Sequence, residues 1–125
     1  MEKGEIALRV LVIDDNQTIL NVVGRALTRD GYLVETANEF ISGYEKALGV
    51  HPDIVISDYD MPNGTGLELF EKLHQSGELP DTNFILMSGH FDTRRKMQDI
   101  TNKLSAITSF LQKPFTISEL RAVLG

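Results

Sequence analysis

Short apolar runs alternate with helix-like segments along the chain, and this alternation limits the fold more than any other feature. Runs of strand length rich in Val, Ile and Leu occur at 9–14, 32–37, 53–57, 83–88 and 107–112. Segments with apolar residues at helical spacing follow them at 16–30, 38–48, 66–76, 93–106 and 116–124. Because a helix is the usual crossover between parallel strands, the pattern predicts an α/β fold. Strands this apolar are expected to be covered on both faces, as in a doubly wound three-layer sandwich.

Local signals place the ends and faces of several predicted helices. Glycine, a typical helix terminator, follows each of the first three, at Gly31, Gly49 and Gly77. In the second helix we expect Ile41, Tyr44 and Leu48 to share the inward face. The last helix should begin in a capping box made by Thr116 and Glu119.

Composition excludes several classes of function. The 125 residues suit a single domain, 1–125, and the absence of cysteine excludes disulfides and thiolate metal sites. A net charge of −6 argues against direct nucleic-acid binding. The single basic cluster, at 94–96, is interpreted as a solvated helix face. No apolar run reaches the length of a membrane span and no signal sequence is evident, so we expect a cytoplasmic protein without membrane contact.

Polar side chains cluster where the predicted strands end. Asp14 and Asp15 follow the first strand, Asp58 the third, Ser88 lies at the end of the fourth, and Lys113 follows the fifth. In open α/β sheets, ligands bind beyond the carboxyl ends of strands, near the point where strand order reverses. Three carboxylates gathered there would repel one another and favour a hard cation such as Mg²⁺.

Each of these residues also has a simpler interpretation. Asp15 or Asn16 could cap the first helix, and Asp58 and Asp60 could belong to a turn rich in Asp, Asn, Pro and Gly. Ser88 could be a loop hydroxyl, and the lysine a solvated strand end. The combination of three acids, a hydroxyl and a lysine at corresponding strand ends favours a functional site.

The chain resembles the receiver domain of two-component response regulators, and is similar to the single-domain chemotaxis regulators. The matching segments, in order, are VIDDN (12–16), DIVISDYDMPNGTGLELF (53–70), ILMSG (85–89) and FLQKPF (110–115). The resemblance spans nearly the whole chain. It implies a flavodoxin-like (βα)5 fold with a parallel five-stranded sheet of order 2-1-3-4-5.

The resemblance also implies a role for each matching residue. Asp58 would be the phosphoacceptor, and Asp14 and Asp15 would form the acidic Mg²⁺ site with it. The backbone carbonyl of Asp60 would complete the metal ligands. Lys113 would pair with the phosphoryl group, and the Lys113–Pro114 bond would be cis.

A switch and a set of partners follow from the same resemblance. Ser88 would be the switch hydroxyl and Phe110 the switch aromatic, although Phe110 could equally be ordinary core. The donor would be a sensor histidine kinase or a histidine phosphotransfer protein, and the output partner or domain is not identified by the sequence. Asp60 and His90 would tune the lifetime of the phosphoryl group, with a solvent-exposed loop residue as the alternative for His90. The domain would catalyse only its own phosphorylation and slow dephosphorylation.

Two features depart from the family pattern. Ser88 and Lys113 are 25 positions apart, more than is usual in the family, and SAIT (105–108) replaces the small residues that often precede the fifth strand. The fourth helix is therefore expected to be unusual. The last helix is short, which suggests a trimmed chain or a receiver that continues into another domain.

Two other classes of protein remain as alternatives. Asp58-Tyr59-Asp60 also matches the DxD nucleophile motif of haloacid-dehalogenase-type phosphatases, but there the motif lies on the first strand and the acidic pair comes late. A pseudo-receiver that only mediates protein contacts would have lost an acid or the lysine, and none is lost here.

Overall fold

The computed structural model describes residues 7–89, 98, 100, 102 and 106–125. The strands are β1 (Arg9–Ile13), β2 (Leu33–Ala37), β3 (Ile54–Asp58), β4 (Asn83–Ser88) and β5 (Ile107–Gln112). The helices are α1 (Gln17–Arg29), α2 (Phe40–Val50), α3 (Gly66–Ser76) and a C-terminal helix (Ile117–Leu124). Most of the helix predicted at 93–106 lies outside the described residues. Within that range the structure describes 98, 100 and 102, which are helical, and 106, which is not.

The five strands form one parallel sheet of order β2-β1-β3-β4-β5, which confirms the predicted topology. The chain moves from β1 to β2 on one side and then returns to β3 on the other. The crevice between the ends of β1 and β3 is therefore the point where strand order reverses. The register shifts between β4 and β5 at Phe84 and Ile85, an irregularity that the sequence pattern did not predict.

Side-chain alternation along the strands builds two apolar layers. Val10 and Val12 belong to a buried cluster shared with α1 and the C-terminal helix. Leu11 and Ile13 belong to a second cluster shared with α2 and α3. Successive residues of a strand point to opposite faces, so a continuous apolar run fills both layers. The predicted three-layer sandwich is confirmed, except that edge strand β2 is only partly covered and leaves Leu33 49% exposed.

Side-chain caps begin the helices. The side chain of Asn16, rather than Asp15, caps α1 by accepting a hydrogen bond from Ile19 N at 3.2 Å. The predicted capping box of Thr116 and Glu119 is present at the C-terminal helix. Such caps satisfy backbone N–H groups that have no partner within the helix.

Two predictions for α2, the residue at which it ends and the residues on its inward face, were partly wrong. The helix continues through Gly49 and ends at Val50, and its C-cap is His51, whose φ of 52° is left-handed. The buried α2 residues are Gly43 and Ala47, whereas Ile41 is 55% exposed. A Cβ atom at Gly43 would lie 2.9 Å from Ile13 Cδ1, so α2 approaches the sheet through its smallest residues.

Gly66 begins α3 at a position where no side chain fits. Its backbone N donates a 2.8 Å hydrogen bond to the carbonyl oxygen of Tyr59. A Cβ atom there would overlap the carbonyl oxygen of Asp58 and lie 2.8 Å from Leu86 Cδ1. Glycine therefore allows α3 to start directly against the end of β3.

We expect Gly66→Ala to lower the free energy of unfolding by about 1–3 kcal/mol, because the added methyl group forces the backbone of β3 or α3 to move. Urea denaturation followed by circular dichroism measures the change. Gly49→Ala is the matched control, since a Cβ atom at this helical position meets nothing within 4 Å. That control should raise stability by about 0.5–1 kcal/mol. Wild-type stability in Gly66→Ala would contradict the steric argument.

Candidate functional site

Three carboxylates meet at the carboxyl edge of the sheet. Asp14 and Asp15 follow β1. The sequence pattern predicted Asp58 directly after the third strand, whereas in the structure it is the last residue of β3, the neighbour of β1. One carboxylate oxygen from each lies within 4.8 Å of the others. Asp14 and Asp58 are buried, whereas Asp15 is exposed. The predicted convergence of these three side chains is confirmed.

Asp14 is fully buried, and both of its carboxylate oxygens have partners. Oδ1 accepts a hydrogen bond from Asn16 N at 2.9 Å, and Oδ2 accepts one from Lys113 Nζ at 2.6 Å. The backbone N of Asp14 donates to the carbonyl oxygen of Ala37 at 3.1 Å. These contacts hold the Asp14 carboxylate in one orientation and leave Asp15 as the member of the pair that faces solvent.

Lys113 connects β5 to this acidic cluster. Its Nζ lies 2.6 Å from Asp14 Oδ2 and 3.1 Å from Asp58 Oδ1, and its backbone N donates to Ser88 O at 2.9 Å. The Lys113–Pro114 bond is cis, as the family resemblance implied. Burial of the ammonium lowers the pKa of Lys113, but the hydrogen bonds and charges of Asp14 and Asp58 outweigh it, so the net pKa is raised. The ammonium therefore stays charged at neutral pH.

One ammonium cannot neutralise three carboxylates. Together with burial, the uncompensated negative charge makes ionisation of Asp58 less favourable, and its pKa is therefore raised. Burial and the negative charges of Asp14 and Asp15 raise the pKa of Asp58 to about 6, although Lys113 acts in the opposite direction. A cluster of carboxylate oxygens with excess negative charge is the ligand set that Mg²⁺ prefers. The residues at this edge therefore fit a hard divalent cation.

The other predicted site residues occupy different positions around the cluster. Ser88 is the last residue of β4 and is 3% exposed. Phe110 lies in β5 opposite Leu86 and packs, partly buried, against the α2–α3 layer of the core. Asp60 is exposed in the loop after β3. His90 lies outside the described residues.

Sequence reasoning missed the residues that shape the β3–α3 loop. The hydroxyl of buried Ser57 lies within hydrogen-bonding distance of two acceptors, Asp58 O at 3.0 Å and Met61 Sδ at 3.6 Å. Gly66 permits the close contact described above. Both positions fall within a segment that also has an ordinary turn composition, so the sequence alone does not distinguish a turn from a loop that supports a site.

A family model for the response regulator receiver domain matches residues 10–125. The chain belongs to this family. It is therefore a receiver domain of two-component response regulators, and neither alternative raised by the sequence is favoured over this function.

Sequence and structure comparisons agree on the family. "Two-component response regulator ARR12" of Arabidopsis thaliana is 32% identical over 98% of this chain, and the aligned region spans 20% of that protein. "Hybrid signal transduction histidine kinase D" of Dictyostelium discoideum is 27% identical over 90% of this chain and 7% of that protein. The structure of the chemotaxis response regulator CheY4 of Vibrio cholerae superposes with a TM-score of 0.86, at 29% identity, over 95% of this chain and 97% of that one.

The chain thus spans less than a quarter of these two curated relatives, while it matches almost all of CheY4. Among the described residues, no helix has both the length and the apolar character required to cross a membrane.

We expect Asp58→Asn to stabilise the metal-free receiver domain at neutral pH. The native Asp58 pKa is about 6 and that of an unfolded aspartate is about 4, so the native state binds this proton more tightly. Ionisation of Asp58 therefore lowers the free energy of unfolding as the pH rises through this window. At pH 7.5 in EDTA, the variant should be more stable than wild type by about 1–3 kcal/mol, and the difference should disappear below about pH 4. Urea denaturation across the pH range measures it.

Asp81→Asn, at an exposed aspartate outside the site, is the matched control and should leave the pH dependence unchanged. Saturating Mg²⁺ should reduce or reverse the advantage of Asp58→Asn, because cation binding stabilises the native wild-type protein. An advantage of Asp58→Asn that is equal at pH 3.5 and pH 7.5 would contradict the electrostatic explanation.

Proposed function

We propose that Asp58 accepts a phosphoryl group from a phosphohistidine on a sensor histidine kinase or histidine phosphotransfer protein. The observation that carries this proposal is the position of Lys113 Nζ, 2.6 Å from Asp14 and 3.1 Å from Asp58 within a cluster of three carboxylates. This arrangement provides a nucleophile, a cation-binding acidic pair and a fixed ammonium in one crevice. A histidine kinase among the relatives supports the class of donor.

The transfer is a displacement at phosphorus. A carboxylate oxygen of Asp58 forms the new P–O bond while the P–N bond to the donor imidazole breaks, and the donor histidine keeps the electron pair of that bond. A carboxylate is a weak nucleophile, so the negative charge on the phosphoryl oxygens must be offset. Lys113 offers a positive charge beside Asp58, held there by its ion pair with Asp14. Asp14, Asp15, Asp58 and the carbonyl of Asp60 would hold Mg²⁺, which when bound neutralises phosphoryl charge.

The product, an acyl phosphate, is a new anion with strong acceptor oxygens at the end of β3. Ser88, at the end of β4, would donate its hydroxyl to one of these oxygens. Phe110 would then turn inward and change the surface presented to an output partner, which the chain does not identify. Asp60 and His90 would act on the water that hydrolyses the acyl phosphate. The domain would thus promote its own phosphorylation and slow dephosphorylation.

Incubation with Mg²⁺ and a small acyl phosphate or phosphoramidate tests the proposal. We expect wild type to gain one phosphoryl group by intact mass spectrometry, and Asp58→Asn to gain none, because the amide cannot act as the nucleophile. The adduct should be stable in acid and labile to base and hydroxylamine. EDTA should reduce the rate of formation by at least about tenfold, since it removes the cation that offsets phosphoryl charge.

Asp81→Asn is again the matched control and should be phosphorylated like wild type. A wild-type protein that forms no adduct with either a small donor or a cognate kinase would contradict the proposal and favour a pseudo-receiver. Turnover of small phosphate esters would instead indicate a phosphatase.

The acidic pair should also contribute unequally to metal binding. Asp14 already accepts hydrogen bonds on both oxygens, whereas Asp15 is exposed beside the cluster. We therefore expect Asp15 to ligate Mg²⁺ directly and Asp14 to act mainly through a bound water. Asp15→Ala should weaken Mg²⁺ affinity more than Asp14→Ala does in a calorimetric titration. The reverse ranking would contradict this assignment.

A further inference from the structure

Strand β2 forms one edge of the sheet, because among the described residues no strand lies on its outer side. In the ladder to β1, Leu33 N donates to Leu8 O at 2.9 Å. The backbone groups of successive residues point to opposite sides of a strand, so those of Val34 and Thr36 point away from the sheet. A row of outward N–H and C=O groups is a template for pairing with another strand.

The sequence of β2 does not by itself prevent such pairing. The strand reads LVETA, in which Val34 and Thr36 are β-branched residues that favour strands. Leu33 at its start is 49% exposed, and Glu35 is its only charged residue. The strand contains no proline, which would remove an outward N–H group. An edge of this composition is prone to pairing unless another part of the protein covers it.

The side chain of Lys46, in α2, covers this edge. Its Nζ donates to the outward carbonyl oxygen of Thr36 at 2.7 Å and lies 4.0 Å from Glu35 Oε1. The lysine reaches the edge because α2 lies close to the sheet, where it buries Gly43 and Ala47. A hydrogen bond donated by an ammonium is stronger than one between neutral groups. The Thr36 carbonyl is therefore not readily available to another chain.

Two copies of this edge would be complementary to each other. In an antiparallel pair, opposed residues exchange both of their N–H···O bonds, so one strand can pair with its own copy about a two-fold axis. A pairing that uses both outward residues, Val34 and Thr36, needs the carbonyl oxygen of Thr36 as an acceptor. Lys46 already occupies that acceptor. A second chain would have to displace the ammonium and leave it without this partner.

We propose that Lys46 blocks the pairing of β2 with a second copy of this chain, by occupying the Thr36 carbonyl and placing a positive charge at the edge. This role does not depend on the function proposed above. It bears on the site nonetheless, because Ala37 O at the end of β2 accepts a 3.1 Å hydrogen bond from Asp14 N. A chain added to β2 would lie next to the strand that supports the acidic cluster.

Sedimentation velocity of the whole chain over a range of concentrations tests this role. Lys46→Ala frees the Thr36 carbonyl without introducing a large apolar side chain, and alanine is a good helix former at this position of α2. We expect the variant to lower the dimer dissociation constant by at least about tenfold, because an incoming chain no longer displaces a charged hydrogen bond. Lys46→Arg keeps a cationic donor and should behave like wild type.

Lys72→Ala is the matched control, since it removes the same charge from an exposed lysine of the neighbouring helix α3. It should leave association unchanged. Glu35→Thr combined with Lys46→Ala removes the last charge from the edge, so this double variant should associate more strongly than Lys46→Ala alone. Hydrogen exchange should show the amides of Val34 and Thr36 protected in the dimer, because these outward groups gain partners.

Three results would overturn the proposal. The first is that Lys46→Ala and the double variant are folded by circular dichroism and as monomeric as wild type. The second is association that leaves the Val34 and Thr36 amides unprotected, because the chains would then meet elsewhere. The third is equal association of Lys72→Ala and Lys46→Ala, which would assign the effect to net charge. Lys46→Met, which keeps the stem without the donor, replaces Lys46→Ala if the latter does not fold, with the same expected result.

Discussion

The ion pairs of Lys113 with Asp14 and Asp58 are the interaction on which the rest of the site depends. They join the ends of β1, β3 and β5 across the full width of the crevice, with Nζ to oxygen distances of 2.6 and 3.1 Å. Without the ammonium, two buried carboxylates would face each other with no compensating charge, at a cost of several kcal/mol. With it, negative charge remains in excess, and this excess makes the crevice suitable for a cation.

The strand order and the packing of the sheet bring Lys113 close to Asp14 and Asp58. Asp14 and Lys113 are 99 positions apart in the chain, and the β2-β1-β3-β4-β5 order places the ends of their strands on either side of Asp58. The apolar layers on both faces fix the strands, because a shift of one residue in register would move every core side chain of a strand into the opposite layer, where a different set of side chains packs. The position of the carboxylates is thus secured by the packing of Val, Ile and Leu several residues away.

The β3–α3 loop shows how a segment of turn residues can serve a site. Its path combines the absence of a side chain at Gly66, the contact of the Ser57 hydroxyl with Met61 Sδ, and the contacts of Phe40, the first residue of α2, with Pro62 and Gly64. Two of these residues contact the backbone of Asp58, since a side chain at Gly66 would overlap the carbonyl oxygen of Asp58 and the Ser57 hydroxyl lies 3.0 Å from that oxygen. Together they define where the backbone goes immediately after Asp58, and therefore which atoms can reach a bound cation.

The amino-acid sequence by itself determined the fold class, the strand order implied by its family resemblance, and the acidic residues that meet at the sheet edge. The fold class and the acidic residues follow from periodicity and from strand ends, which are local properties of the chain, whereas the strand order was implied by the family resemblance alone. Tertiary structure alone decided which apolar residues of α2 face inward, since Ile41 is exposed while Gly43 packs on Ile13. It also decided that Asp14 Oδ2 pairs with Lys113 and that Phe40 at the start of α2 lies against Gly64. Each of these depends on the distance between residues that are far apart in sequence or belong to different elements, and no local pattern encodes that distance.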